Sequence, residues 1–129
     1  MKSRDSKLRL KHFQVEDKTR QLTQIDLMIG EFARMAEELD NQIRIEEQKS
    51  GIADPSHFAY PTFAKAARQR RDNLAGSIRD LKDKRLFAVD AMLDAEEQLK
   101  KAQLLESRDA TGGADVSIDR QIENRAMIG

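Results

Sequence analysis

The sequence holds no cysteine and no tryptophan, and only two prolines and six glycines among its 129 residues. Without cysteine there is no disulfide framework and no thiolate metal site, which fits a reducing compartment. So few chain breakers cannot supply the turns of a sheet or of a compact bundle. Aromatics are scarce at 5%, which leaves little for a bulky globular core. An excess of one charge is also missing, because 23 Lys and Arg balance 23 Asp and Glu. No global field therefore recruits nucleic acid or anionic lipid. No run approaches the roughly 20 apolar residues of a membrane span. The opening Met1-Lys2-Ser3-Arg4-Asp5-Ser6-Lys7 lacks the apolar core of a signal peptide. The expectation is a soluble, cytoplasmic protein.

What is present is charge, at 36%, and helix-forming residues with few interruptions. That composition suits long helices with narrow apolar stripes. It also suits disorder, and periodicity decides between the two. Leu8, Val15, Leu22, Ile29, Ala36 and Ile43 recur every seventh residue, and a second row reads Lys11, Lys18, Ile25, Phe32, Leu39 and Glu46. These are the a and d rows of a heptad repeat. A second beat runs Ala67, Leu74, Leu81, Ala88, Ala95 and Ala102, with Arg71, Ile78, Arg85, Met92 and Leu99 interleaved. Between the beats, Ser50-Gly51 offers a helix stop, Asp54-Pro55 a cap and first turn, and Pro61-Thr62 a restart.

The expected fold is all-α: a long antiparallel two-helix coiled-coil hairpin over 1–110, followed by a short tail. The first helix covers about 5–49, the connection about 50–61 and the second helix about 62–109. Thr111-Gly112-Gly113 predicts a break, and 111–129 a partly disordered tail. Two helices with one short connection pack antiparallel. Pairing residues whose numbers sum to 110 sets Leu8 on Ala102, Val15 on Ala95, Leu22 on Ala88, Ile29 on Leu81, Ala36 on Leu74 and Ile43 on Ala67. Most of these layers join a large residue to a small one. The resulting seam comprises Val15, Leu22, Ile25, Ile29, Phe32, Leu39, Ile43, Leu74, Ile78, Leu81, Met92 and Leu99. Charge agrees, since Glu31 to Glu47 carries six acids and two bases opposite Lys65 to Arg85, with eight bases and three acids.

No catalytic template is met, and neither a cofactor nor a metal is expected. His12 and His57 fall near opposite ends of such a hairpin. Gly112-Gly113 has neither the following Lys-Ser/Thr nor the preceding strand of a phosphate loop. Asp40, Glu46 and Glu47 read as a solvated acidic face, and Arg68, Arg70, Arg71 and Arg79 as its neutralising counterpart. Three apolar groups lie off the seam: Leu27, Leu86, Phe87 and Leu93 along the shaft; Leu10, Phe13, Leu104 and Leu105 at the open end; Phe58, Tyr60 and Phe63 at the closed end. Clustered exposed apolar groups mark docking to another chain. The alternatives are that the aromatics plug the loop, and that the tail around Ile118 and Ile122 covers the open end.

The opening Met1-Lys2-Ser3-Arg4-Asp5-Ser6, then Leu8-Arg9-Leu10-Lys11 and Phe13-Gln14-Val15, resembles the flagellar export protein FliJ family in its short alphaproteobacterial form. His57-Phe58-Ala59-Tyr60-Pro61-Thr62-Phe63-Ala64-Lys65-Ala66-Ala67 and Arg70-Arg71-Asp72-Asn73-Leu74 are similar to that group too, so the resemblance covers roughly 1–108. It implies a two-helix coiled coil like the central stalk of rotary ATPases, acting as a cytoplasmic, non-catalytic component of the flagellar type III export apparatus. Such a component docks in the export ATPase ring, promotes its assembly and activity, and couples it to the export gate and export chaperones. It touches the membrane at the basal body only through partners and binds no nucleic acid. On that resemblance, Arg4, Lys7, Leu8, Arg9, Leu10, Phe13, Leu104 and Leu105 are candidates to face the ring. Phe58, Tyr60 and Phe63 are candidates to face the gate. The competing expectation is a generic cytoplasmic coiled-coil scaffold or adaptor.

Overall fold

A computed structural model describes the backbone of residues 2–128 and the side chains of residues 3–109. It contains two helices, α1 (Lys2–Ser50) and α2 (Thr62–Ile128), and no strand among the described residues. Their facing ends fall where the chain breakers predict. Gly51 closes α1 with φ at +71°, a left-handed turn that a side chain would strain, and its N–H donates to the Glu47 carbonyl at 2.9 Å. Asp5 in the first turn and Lys49 in the last complement the α1 dipole. At the start of α2, the Pro61 carbonyl accepts from the Lys65 N–H at 3.1 Å, and proline has no N–H to leave unpaired.

Asp54-Pro55 opens a turn instead of a helix. The Asp54 carboxylate accepts from the Ser56 N–H at 3.0 Å and from its hydroxyl at 2.8 Å, while its carbonyl accepts from the His57 N–H. A second turn follows at once, with the Tyr60 N–H donating to the His57 carbonyl at 3.0 Å and the Ala59 N–H to His57 Nδ1 at 3.0 Å. The Ser56 N–H above all holds the Asp54 carboxyl below its ordinary range. These local bonds occupy the backbone groups that a helix would otherwise use.

The backbone of α2 carries on to Ile128, past the break expected at Thr111-Gly112-Gly113. Glycine inside a helix costs about 1 kcal/mol each without forbidding it. The side chains of the tail, including Ile118 and Ile122, lie outside the described residues.

Contacts gather the chain into two compact units. The terminal unit joins Met1–Thr19 to Ala91–Gly129, and the loop unit is Arg20–Asp90. Within each, α1 and α2 run antiparallel. In the loop unit Asp26 meets Arg85 and Asp40 meets Arg71; in the terminal unit Lys11 meets Gln98. Their residue numbers sum to 111, 111 and 109, so the register lies within one residue of the expected 110.

Burial follows the heptads. All twelve seam residues are buried or half-buried, and so are the polar Lys11, Lys18, Glu46 and Arg71 in the same rows. Only Arg85 among the seam rows is exposed. A pair of helices covers each seam residue from one side only, and among the described residues no large side chain falls below 2% exposure. The tightest packing lies beside the loop, where Ile43, Tyr60, Ala64 and Ala67 are all at 7% or less. Tyr60 and Ala64 extend the α2 heptad back into the connection, so the loop caps the seam.

Candidate functional site

With the Ala67–Ala102 row of α2 lettered d, because it meets the a row of α1, and the letters carried to the flanks, the two edges of the loop unit have different chemistry. Along one edge α1 presents the e row, Asp26, Ala33, Asp40 and Glu47. The arginines of the α2 seam reach sideways to it: Arg85 Nε lies 2.6 Å from Asp26, and Arg71 lies 3.0 Å from Asp40. These hydrogen bonds hold both guanidinium groups even more firmly protonated than usual. At the end of the row Tyr60 donates its hydroxyl to Glu47 at 2.7 Å, while Arg68 Nε donates to the Tyr60 oxygen at 3.0 Å and its terminal nitrogen to Glu47 at 3.2 Å. The Tyr60 hydrogen bond chiefly, with Arg68 and Arg71 behind it, keeps the Glu47 carboxyl below its ordinary value. Burial, then the neighbouring carboxylate, pushes the Tyr60 phenol up.

That clasp corrects one expectation. Tyr60 is 7% exposed and belongs to the packing of the loop, so it is not available to face a partner. Its neighbours behave differently: Phe58 stacks on His57 at 4.8 Å between ring centres and is 97% exposed, and Phe63 is exposed as well. The plug reading thus holds for one of the three closed-end aromatics.

The other edge of the loop unit carries the g rows, Gln21, Met28, Met35 and Gln42 on α1 and Phe63, Arg70, Ser77 and Lys84 on α2. No carboxylate stands in either row. Here the helices leave an open groove of about 400 Å³ with Met35, Leu39 and Leu74 among its lining, Glu38 on one wall and Arg70 on the other. Met28, Met35 and Ile45 are exposed on or beside this edge, and none of them stands among the expected surface residues. The signal that would have found them is the contrast between e and g rows, legible once the register is fixed. Leu27, Leu86 and Phe87 are exposed as expected of the shaft group, and Leu93 is exposed in the terminal unit.

In the terminal unit Arg4 pairs with Asp109 at 2.9 Å. Beside that bridge Lys7, Leu8, Ala102 and Leu105 line a smaller groove of about 190 Å³. Leu10, Phe13, Leu104 and Leu105 are between 52% and 70% exposed, Arg9 is exposed, and Leu8 is half-buried in its seam position. With Leu93 the unit presents five exposed large apolar side chains, four of them at the end that holds Arg4, Lys7 and Arg9 together with Asp5, Glu106 and Asp109. No group of His, Asp and Glu among the described residues could hold a metal ion, and no helix among them is long and apolar enough to cross a membrane. No protein family, curated protein or solved structure matches this chain.

Proposed function

We propose that this chain is a non-catalytic, FliJ-type stalk of the flagellar type III export apparatus. In this reading it docks in the export ATPase ring, promotes the ring's assembly and activity, and couples it to the export gate and chaperones at the cytoplasmic face of the basal body. The observation that supports it is the terminal unit, where Leu10, Phe13, Leu104 and Leu105 stand in solvent beside Arg4, Lys7 and Arg9. Exposed apolar side chains beside Lys7 and Arg9, with Arg4 bridged to Asp109, suit a socket that is apolar and carries some acidic groups. Mechanistically the chain supplies no chemistry. An asymmetric helix pair inside a symmetric ring contacts otherwise identical subunits unequally, and it stabilises the nucleotide state that it contacts best.

The test is to mix the purified chain with a flagellar export ATPase and follow co-migration and ATP hydrolysis. Co-migration with faster hydrolysis is expected, weakened by Leu10→Glu or Leu104→Glu. Unchanged hydrolysis without co-migration removes the stalk reading and leaves the generic scaffold or adaptor.

A further inference from the structure

The loop unit carries exposed apolar groups that the proposed ring contacts do not use. Excluding the loop's Phe58, its exposed large apolar residues are Leu27, Met28, Met35, Ile45, Phe63, Leu86 and Phe87. Met28, Met35 and Phe63 occupy g positions, and Ile45 and Phe87 occupy the c positions beside them. Five of the seven thus belong to one edge. The opposite edge is closed by Asp26–Arg85, Asp40–Arg71 and Glu47–Arg68. From Met28 to Ile45 the apolar edge extends about 25 Å along α1. Its groove has a floor of Leu39 and Leu74, and exposed methionines suit it to take up another helical surface.

Charge identifies the occupant. On this edge α1 offers the acids Glu31 and Glu38 at its c positions. The α2 side offers Arg70 and Lys84 at its g positions, with Asp80 its one acid. Two copies meeting edge to edge can be related in two ways. A twofold axis across the helices lays α1 on α1 and sets acids against acids. A twofold axis along the helices lays α1 of each copy on α2 of the other, which turns Glu38 toward Arg70 and leaves Glu31 level with Asp80 and about one turn from Lys84. In the second arrangement heights are shared. The Asp40–Arg71 pair then places Glu38 within one turn of the other copy's Arg70, and Ile45 within one turn of its Phe63. A formal net charge of +0 adds no long-range repulsion between copies.

We propose that the g edge of the loop unit binds a second copy of this chain, giving a four-helix dimer whose twofold axis runs along the helices. The dimer uses none of the residues proposed to face the ring, and of the gate-facing candidates only Phe63, so docking in the ring stands or falls separately from it.

Sedimentation velocity on the full chain, from low to high micromolar, tests it. Wild type is expected to pass from monomer to dimer by mass action. Met35→Glu is expected to abolish the dimer, with unchanged helicity by circular dichroism because Met35 is already 46% exposed. Glu38→Arg and Arg70→Glu are each expected to weaken association about tenfold, and the double exchange to restore it. A chain that stays monomeric throughout overturns the proposal, as does a dimer indifferent to Met35→Glu. Failure of the double exchange to recover overturns the axis assignment and the charge argument with it.

Discussion

Replacing Ile43 by alanine tests what holds the two helices together. Ile43 is 4% exposed, and the register sets it against Ala67, also at 4%. The substitution removes about three methylene equivalents at ~0.8 kcal/mol each, or about 2.4 kcal/mol of transfer free energy. Ala64 and Ala67 are too short to fill the space, so a cavity contribution adds to the loss. The better helix propensity of alanine returns a few tenths. The expected net loss is about 3 kcal/mol. Leu27→Ala is the matched control, because Leu27 is 68% exposed, and it should stay within about 0.5 kcal/mol. Urea unfolding followed by far-UV circular dichroism, at one fixed protein concentration, measures both. If the two variants lose the same small amount, the seam is not the source of stability and the register argument fails.

Gly51→Ala should cost about 1 kcal/mol in the same assay, entirely from the left-handed backbone, since nothing lies within 4 Å of an added Cβ. Asparagine there should cost less. Glu47 titrates below its ordinary 4.5, so its contribution is complete above that value and fades as the pH falls through the lowered one. Tyr60→Phe removes the largest cause of that shift, and an NMR titration of the Glu47 carboxyl should move back toward 4.5; an unmoved midpoint refutes the clasp. The raised Tyr60 pKa acts at the other extreme, its contribution being complete below 10.0 and lost in stronger alkali. Arg71→Leu should raise the melting temperature. The ion pairs it gives up, to Asp40 and Asp72, are partly solvated, with the carboxylate side chains 54% and 70% exposed, and each is worth under about 1 kcal/mol, less than a leucine added to the seam. A lower melting temperature would show that the Arg71 stem and its pairs outweigh that leucine.

Much of this architecture is written in two numbers, the sevenfold spacing and the register sum. Leu8 to Ile43 and Ala67 to Ala102 declare two helices, and Gly51 and Pro61 place their facing ends. The register is legible because in most layers one helix offers a large residue where the other offers a small one, and because acidic and basic segments oppose. The sequence reading leaves Tyr60 between plugging the loop and facing a partner, for a definite reason. An aromatic in a loop reads as exposed until its heptad position, four residues ahead of Ala64 and seven ahead of Ala67, is counted into the second helix. Met28, Met35 and Ile45 escape it because dividing residues into seam and outside ignores the two edges between. Those edges part company only when Asp26, Asp40 and Glu47 are set beside Gln21, Met28 and Gln42.

Ala33 touches no ion pair, yet it bears on whether the chain closes correctly. Sliding α2 along α1 by one heptad keeps the apolar layers of the loop unit in phase, setting Ala36 on Ala67 in one direction and Ile43 on Leu74 in the other, so apolar phase alone does not reject the slipped hairpin. The slide that brings Arg71 to Glu47 strands Arg85 against Ala33, and the opposite slide strands Arg71 there instead. A missing carboxylate therefore proofreads the closure. Ala33→Asp would remove that check, and a cysteine pair, Leu22→Cys with Ala88→Cys, would report it. Crosslinking should be complete in the native background and partial beside Ala33→Asp, where a misaligned population competes. Complete crosslinking in both backgrounds would assign the fidelity to the loop alone.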